Sequence, residues 1–485
     1  MIDLKNVESY RENNRIEAKT ALGGLPHSIW ETYSAFANTL GGVILLGVRE
    51  EKDKSFHTVD LPDPEGLVNE FWNSVNDPKI ASVNILSTRD IQIKTIDGNR
   101  IIVINVPKAK RSMKPVYVEG SPLNTYRRTG EGDYKCTKEE YEAMVRDASV
   151  LTQDMLLLEN MDLHVLNLES IRMYRERMKH LRPGHVFESL SDEEFLVKMG
   201  AAGIGHDGNS HPTGGGLLMF GNHRDIVSVY PQYLLDYRDC FAENTQWNNR
   251  IISSSGNWSG NILDFYFLVS NEIRSNLKIP FSIRDGGNVS EDPVQMALCE
   301  ALANTIVNAD YYGRGGIVVI KQKDRIRFSN PGLFRVDVKK AISGGVSDPR
   351  NNTVLNLFSM IGIGGRSGGG ISNIFRIWRE NGWQEPEFLQ STEPDRTTLT
   401  LSFLPNAPER SSKKADNNSD SAIKQIKRQV IISYLTEHIS ASTAELTAYL
   451  NLSSSRVREY LRELMAENIV VAEGKNRNRV YRLKS

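Results

Sequence analysis

Three residues carry the clearest chemical pattern in the chain: Glu300, Asn304 and Asn308, a carboxylate and two carboxamides set four residues apart. Around them Val294, Ala297, Leu298, Ala301, Leu302, Thr305 and Ile306 recur at helical spacing. Glu291 and Asp292 ahead of Pro293 make an acidic opening suited to a helix N-terminus. The helix this predicts would carry all three polar groups on one face. Such a face can hold a hydrated Mg²⁺ and orient a water beside a triphosphate. The same pattern also describes a polar, solvent-facing stripe on an amphipathic helix, so the residues alone leave both readings open.

The elements downstream must position that face. Residues 315–320 and 325–328 read as a hairpin, followed by Ser329-Asn-Pro-Gly-Leu-Phe334. Then come Pro349-Arg350-Asn351, a short apolar helix over 354–361, and a glycine run over 362–370 that opens an amphipathic segment at 371–378. A glycine-rich loop feeding a helix can bring backbone N–H groups close to phosphates. This ordered set resembles the ATP-binding domain of the GHKL superfamily. It resembles more closely a divergent branch found in bacterial proteins with an N-terminal Schlafen-type domain and a C-terminal winged helix. The resemblance spans roughly 280–405. It implies an ATP site with Asn304 as Mg²⁺ ligand and Glu300 polarising the attacking water. Asn308 and Arg350 would belong to that site, Asn330 and Gly332 would form its adenine end, and Gly365, Gly368 and Gly370 would line the phosphates. The chain departs from the family pattern in two places: Asn-Pro-Gly lacks the adenine-reading Asp, and Asn308-Ala-Asp-Tyr311 replaces the usual His-Arg-Asp-Tyr.

At the other end, Ser9-Tyr-Arg-Glu12-Asn-Asn-Arg-Ile-Glu17-Ala-Lys19 precedes a predicted helix over 26–38. Leu40-Gly-Gly42 supplies a C-cap, and 43–48 is a buried strand bounded by charge. A further strand is expected at 100–106, edge strands near 115–118 and 124–129, and a closing helix at 138–145. With 35–48, Pro115-Val-Tyr117 and Tyr126-Arg-Arg-Thr-Gly130, the segment resembles the Schlafen AlbA-2 family. Some Schlafens are metal-dependent nucleases. The resemblance implies Mg²⁺ or Mn²⁺ ligands at Glu12, Glu17 and Glu50, with Lys19 on a scissile phosphate; Glu50 stands where the family usually has Asp. Lys114, Arg127 and Arg128, interleaved with tyrosines, suit phosphate contact and base stacking. A charge-protected strand edge is the alternative reading of the same residues.

The 485 residues suggest about three domains. A formal net charge of −1 means that nucleic-acid affinity must come from local patches. Cys136, Cys240 and Cys299 form neither a disulfide framework nor a zinc pattern, which favours a reducing cytoplasm. No apolar run approaches a membrane span. In the middle, 151–168 and 171–180 read as helical and Ser191-Asp-Glu-Glu194 as a helix start, while 213–221 resembles the loop and strand that precede the ATP site in the same bacterial proteins.

The tail begins with a polar linker, 405–421. Helical patterns follow at 423–438, 442–450 (opened by the capping box Ser442-Thr-Ala-Glu445) and 453–468, then two short strands around a basic turn. That order is the pattern of a winged helix-turn-helix. It would put Arg456 and Arg458 on the recognition helix and Lys475, Arg477 and Arg479 on the wing. Residues 421–485 hold 11 Lys+Arg against 6 Asp+Glu, a local excess of positive charge in a chain that is otherwise balanced.

The expected architecture is therefore multidomain α+β. It comprises an AlbA-2-like nucleic-acid domain over 1–150, a connecting region over 151–280, a GHKL-like α/β sandwich over 281–404, a linker over 405–422 and a winged helix over 423–485. The expected function is that of an ATP-binding, DNA-binding transcriptional regulator. It would be cytoplasmic, would self-associate and would have no membrane partner. The alternative is an ATP-gated, metal-dependent nuclease acting on RNA or single-stranded DNA; a weak ATPase activity fits either.

Overall fold

The computed structural model describes residues 15–53, 55–240, 247–276, 292–364, 370–392, 394–406, 431, 435, 440–450, 454–466, 469–473 and 480–484. The chain divides into two compact units, Met1–Ala407 and Pro408–Ser485.

The first unit begins with β1 (Ile16–Lys19), α1 (Ile29–Asn38), β2 (Gly42–Leu46), β3 (Val48–Glu50), β4 (Phe56–Thr58) and α2 (Pro64–Val75). Next come β5 (Ile91–Ile96), β6 (Asn99–Val106), β7 (Tyr126–Thr129), β8 (Gly132–Lys135) and α3 (Lys138–Ala148). Apolar runs in β2 and β6 place those strands at the centre of a four-stranded sheet, ordered β1-β2-β6-β5, with β1 parallel to β2. Helix α1 is buried along nearly its whole length, which its polar residues would forbid without partners. Ser34 Oγ donates to Val116 O at 2.7 Å, and Asn38 Nδ2 donates to Val116 O at 2.8 Å and Tyr126 O at 3.0 Å. These bonds hold 115–118 as an irregular segment with isolated bridges, not the edge strand its composition suggests. Helix α3 starts on a Thr137–Glu140 capping box.

From there the chain forms α4 (Leu168–Leu181), α5 (Asp192–Lys198), β9 (Ala202–Ile204), β10 (Ser210–Pro212), α6 (Gly214–Phe220) and α7 (His223–Val229). The stretch 151–168, expected to be helical, instead makes short 3₁₀ turns at Gln153–Met155 and Leu163–Val165. Asp162 accepts from His164 N and turns the backbone there, while Asp154 accepts from the Thr152 hydroxyl and is otherwise committed to a distant segment (below). The expected loop and strand at 213–221 is helix α6. Its glycines let the helix lie against neighbouring backbone, since a Cβ on Gly216 would collide with Ala201 O.

The remainder of the unit is β11 (Leu235–Cys240), β12 (Trp247–Ile252), α8 (Ile262–Asn276), α9 (Pro293–Asn308), β13 (Ile317–Lys321), β14 (Arg325–Pro331), α10 (Val338–Ser343), α11 (Asn352–Met360), α12 (Gly370–Glu380), β15 (Glu387–Thr392) and β16 (Asp395–Ser402). Six strands form one sheet, β12-β11-β13-β14-β16-β15, antiparallel except for the β11–β13 pair. Helices α8 and α9 pack on its strands and α12 packs on α9, giving a two-layer arrangement. The segment 151–280 is thus no connector. It supplies two strands of this sheet, and a single apolar core runs from Leu166 to Leu401.

The second unit contains β17 (Ala441–Ser442), α13 (Thr443–Leu450), α14 (Ser454–Ala466), β18 (Val470–Glu473) and β19 (Val480–Leu483). Its antiparallel sheet is ordered β17-β19-β18. Val457, Leu461 and Leu464 bury one face of α14 against Ile431 and Leu435. The Ser442–Glu445 capping box forms, with Ser442 N donating to Glu445 Oε2 at 2.7 Å. Among the described residues, no helix is long and apolar enough to cross a membrane.

Candidate functional site

Helix α9 begins where its sequence requires: Asp292 accepts a hydrogen bond from Val294 N at 2.9 Å, and Pro293 takes the first helical position. The helix is buried on most sides, so a solvent-facing stripe does not describe it. Glu300, Asn304 and Asn308 instead line one cavity of about 50 Å³, together with Phe334, Arg335, Asp348, Leu355 and Gly370. Asn304 Nδ2 lies 3.4 Å from Glu300 Oε1, and Asn308 Nδ2 donates to Asn304 O at 2.8 Å. Burial pushes the Glu300 carboxyl above its usual range, with the Asn304 hydrogen bond opposing that shift. A cation beside this carboxylate would offset the burial, and carboxylate plus carboxamide oxygens are donors suited to Mg²⁺. The first residue of α12 closes in on the same pair. A side chain at Gly370 would collide with Glu300 Oε1 and crowd Asn304 Nδ2. Gly365 and Gly368 lie outside the described residues.

Other residues expected at a nucleotide site are placed differently. Asn330 is buried, and its Nδ2 donates to Pro331 O at 2.9 Å and to Asn308 O at 3.4 Å. Gly332 lines a different and larger cavity, about 550 Å³, bounded by α3 and by Asp310, Tyr312, Arg314, Thr392 and Asp395. The charges there are largely matched within the protein: Glu139 with Arg314, Asp310 with Arg146, and both Glu140 and Asp395 with Arg127. Arg350, expected near phosphate, is buried and taken up by protein groups. Its Nε and Nη2 donate to Asp147 at 2.8 Å each, Nη2 also donates to Leu333 O, and Nη1 donates to Asn308 O. That removes Arg350 from the phosphate-binding set and makes it the brace of the last turn of α9.

In the N-terminal domain, β1 places Glu17 opposite Ile44 of β2. Both Glu17 oxygens face cations: Oε1 is 3.0 Å from Lys19 Nζ and Oε2 is 3.0 Å from Arg128 Nη2. Lys19 also donates to Ser28 Oγ at 3.0 Å. Glu50 is half-buried on β3, and Glu12 lies outside the described residues. Among the described residues, no three His, Cys, Asp or Glu side chains gather as a metal site.

The basic residues expected on a nucleic-acid surface do not lie on one. The Arg128 side chain is 1% exposed, ion-paired with Glu17 and Asp133 and stacked over Phe36. The Arg127 side chain is 6% exposed and reaches Asp395 at 2.6 Å. Lys114 donates to Asn38 O, and burial, with Lys108 and Arg127 nearby, pulls its ammonium down to about 7. All three are structural groups. In the second unit Arg458 is exposed on α14. Arg456 is in the same helix with its side chain outside the description, and Lys475, Arg477 and Arg479 lie outside the described residues.

Sequence reasoning missed the cavity walls Arg335 and Asp348, and it missed Asp147. Their partners are far apart in the chain: Arg335 Nη2 donates to Asp147 at 2.8 Å, and Arg111 Nε donates to Asp348 at 2.6 Å. No local pattern announces such pairs.

A fold with α1 on a sheet carrying Glu17 and a β7–β8 hairpin agrees with the family model that matches residues 12–137, described as "Schlafen, AlbA_2". The chain carries a Schlafen AlbA_2 domain. A second model, "Putative ATP-dependent DNA helicase recG C-terminal", matches 315–401, and a domain of unknown function matches 142–236. The recG-type match covers the strands from β13 into β16 and those lining residues of the Glu300 cavity that follow α9, and it leaves α9 itself outside. The AlbA_2 and recG-type domains associate the chain with nucleic acid and with ATP.

Among solved structures, the DIP2311 protein from Corynebacterium diphtheriae is 16% identical, with 97% of this chain and 95% of that chain covered and a TM-score of 0.40. The N-terminal domain of a "Putative ATP-dependent DNA Helicase RecG-related Protein" from Nitrosomonas europaea is 28% identical over 28% of this chain and 95% of that chain, with a TM-score of 0.23. No curated protein matches.

Proposed function

We propose that this protein is a nucleotide-responsive, DNA-binding transcriptional regulator. The observation that carries the reading is the convergence of Glu300, Asn304 and Asn308 on one cavity with the start of α12 behind them. In this reading the domain is of the GHKL type. Glu300 and Asn304 would hold Mg²⁺, which would neutralise phosphate charge, and the α12 N-terminus would face the phosphates. Glu300 also positions a water if ATP is turned over. At about 50 Å³ the cavity is well below the few hundred Å³ that a nucleotide occupies, so binding requires its walls to part.

The second unit is read as a winged helix, supported by α13 and α14 followed by β18 and β19 in the expected order, with the short β17 joining them in one antiparallel sheet. Arg458 on α14 and the basic residues Lys475, Arg477 and Arg479 would contact duplex DNA. The nuclease alternative is disfavoured because both oxygens of Glu17 are engaged by cations. A metal at Glu17 would have to sit beside the two positive charges of Lys19 and Arg128 that the carboxylate already faces.

Calorimetric titration of the full chain with ATP and Mg²⁺ tests the nucleotide site, with Asn304→Ala expected to abolish binding. Equal affinity in that variant would overturn the assignment. Selection of bound duplexes from a random pool, followed by Arg458→Ala, tests the regulator. Metal-dependent strand cleavage lost in Glu17→Ala would replace it with the nuclease.

A further inference from the structure

The Glu300 cavity has two walls that are fastened from outside the recG-type domain. Asp348, which lines it, accepts from Arg111 Nε at 2.6 Å and from Nη2 at 3.1 Å; Arg111 belongs to the AlbA_2 domain. Arg111 Nη1 is anchored in turn on Asp147 O at 2.9 Å and Ser149 O at 3.1 Å. Arg335, the second wall, gives Nε and Nη2 to Asp147 Oδ1 at 3.2 and 2.8 Å. Asp147 sits at the end of α3, the helix that leaves the AlbA_2 domain, and it also holds Arg350. The two fastenings meet at 147–149, and each ends on a residue that faces the cavity.

We infer that Arg111 of the AlbA_2 domain and Asp147, which follows that domain, form a latch that holds the nucleotide cavity shut, so that nucleotide entry loosens the junction between the AlbA_2 and recG-type domains. The inference rests on the nucleotide reading above. It rests on size and placement: a cavity of about 50 Å³ must widen to take a nucleotide, and two of its lining residues, Arg335 and Asp348, do not move without breaking a contact to Asp147 or Arg111. Binding competence is then limited to the fraction of molecules with the latch open, and apparent affinity falls by that fraction. By linkage, whatever the AlbA_2 domain binds in the unlatched arrangement strengthens nucleotide binding by the same factor that nucleotide strengthens its own.

The sign of the effect separates a latch from a structural support. Removing a support weakens binding, whereas removing a latch strengthens it. Arg111→Ala in the full-length protein, titrated calorimetrically with ATP and Mg²⁺, is expected to bind about three- to tenfold tighter than the parent chain, the scale of one half-exposed charge-assisted pair. Arg314→Ala is the control. It removes an exposed pair with Glu139 in the same junction, away from the Glu300 cavity, and is expected to leave ATP affinity unchanged. Circular dichroism confirms that each variant is folded. If the parent binds ATP and Arg111→Ala binds equally or more weakly, the latch is wrong and the nucleotide site stands. If neither protein binds ATP, the nucleotide reading fails and the latch fails with it. Equal tightening in Arg314→Ala would mean general loosening of the junction and would also overturn the latch.

Discussion

Replacing Asp147 with Asn tests whether the junction depends on charge or only on shape. The carboxylate accepts four N–H groups: Arg335 Nε at 3.2 Å and Nη2 at 2.8 Å, and Arg350 Nε and Nη2 at 2.8 Å each. Both arginine side chains are almost fully buried, at 4% and 7% exposure, while the Asp147 side chain retains 31%. Asn keeps the shape and one acceptor oxygen but leaves two buried guanidiniums without this counter-charge. Removing one partner of a buried pair costs about 3–5 kcal/mol. Partial solvation of Asp147 and the remaining acceptor favour the low end, about 3 kcal/mol.

At ~2–4 °C per kcal/mol, the thermal midpoint of the first unit should fall by about 6–12 °C at pH 7.5. The pH dependence gives a second reading. Burial pushes the Asp147 carboxyl up, but Arg350 and then Arg335 outweigh it and hold it well below the carboxylate range. A depressed folded value contributes stability that is complete above the unfolded value of about 3.9 and is lost as pH falls below it. The gap between parent and Asp147→Asn should therefore be constant from pH 6 to 8 and shrink in acid. A neutral-pH difference below about 1 kcal/mol, or a gap that persists unchanged at pH 3, would refute the charge-based account.

Arg127→Ala should destabilise the first unit by about 3 kcal/mol, because it strands Asp395, while leaving the salt dependence of nucleic-acid binding unchanged; a shallower salt slope would return Arg127 to the nucleic-acid surface. Asp154 is fully buried and accepts from Val354 N at 3.0 Å, capping α11 from a distant part of the chain. Asp154→Ala should cost about 1–3 kcal/mol and speed hydrogen exchange at the start of α11, and unchanged exchange there would refute the cap. The Lys114 ammonium, lowered to about 7, is held below its unfolded value of about 10.4. Between those values the unfolded chain binds more protons, so stability should rise with pH from 7 to 9 in the parent relative to Lys114→Met; parallel urea midpoints across that range would contradict the shift.

Much of the fold could be read from local pattern. The apolar runs of β2 and β6, the Asp292-Pro293 opening of α9 and the Ser442–Glu445 capping box are each set by neighbours in sequence, and each formed where expected. The Glu300–Asn304–Asn308 face was legible for the same reason, because helical spacing alone brings the three together. The arginines were misread because a basic residue in a sequence reads as a surface residue until its partner is known. Arg127 and Asp395 are 268 residues apart, and Arg350 and Asp147 are 203 apart. The role of 151–280 was hidden similarly: β11 finds its parallel neighbour β13 across a long intervening segment.

That parallel pairing has a consequence for how the protein is made. The β11–β12 hairpin leaves the ribosome about 65 residues before β13 begins. Until β13 arrives, the inner edge of β11, which includes the apolar Leu235 and Tyr237, has unpaired backbone groups. An edge of that kind is where nascent chains pair with one another. Slow translation between residues 253 and 316 should lengthen the exposure, so soluble yield should depend on codon choice in that interval more than elsewhere and should be rescued by holdase chaperones.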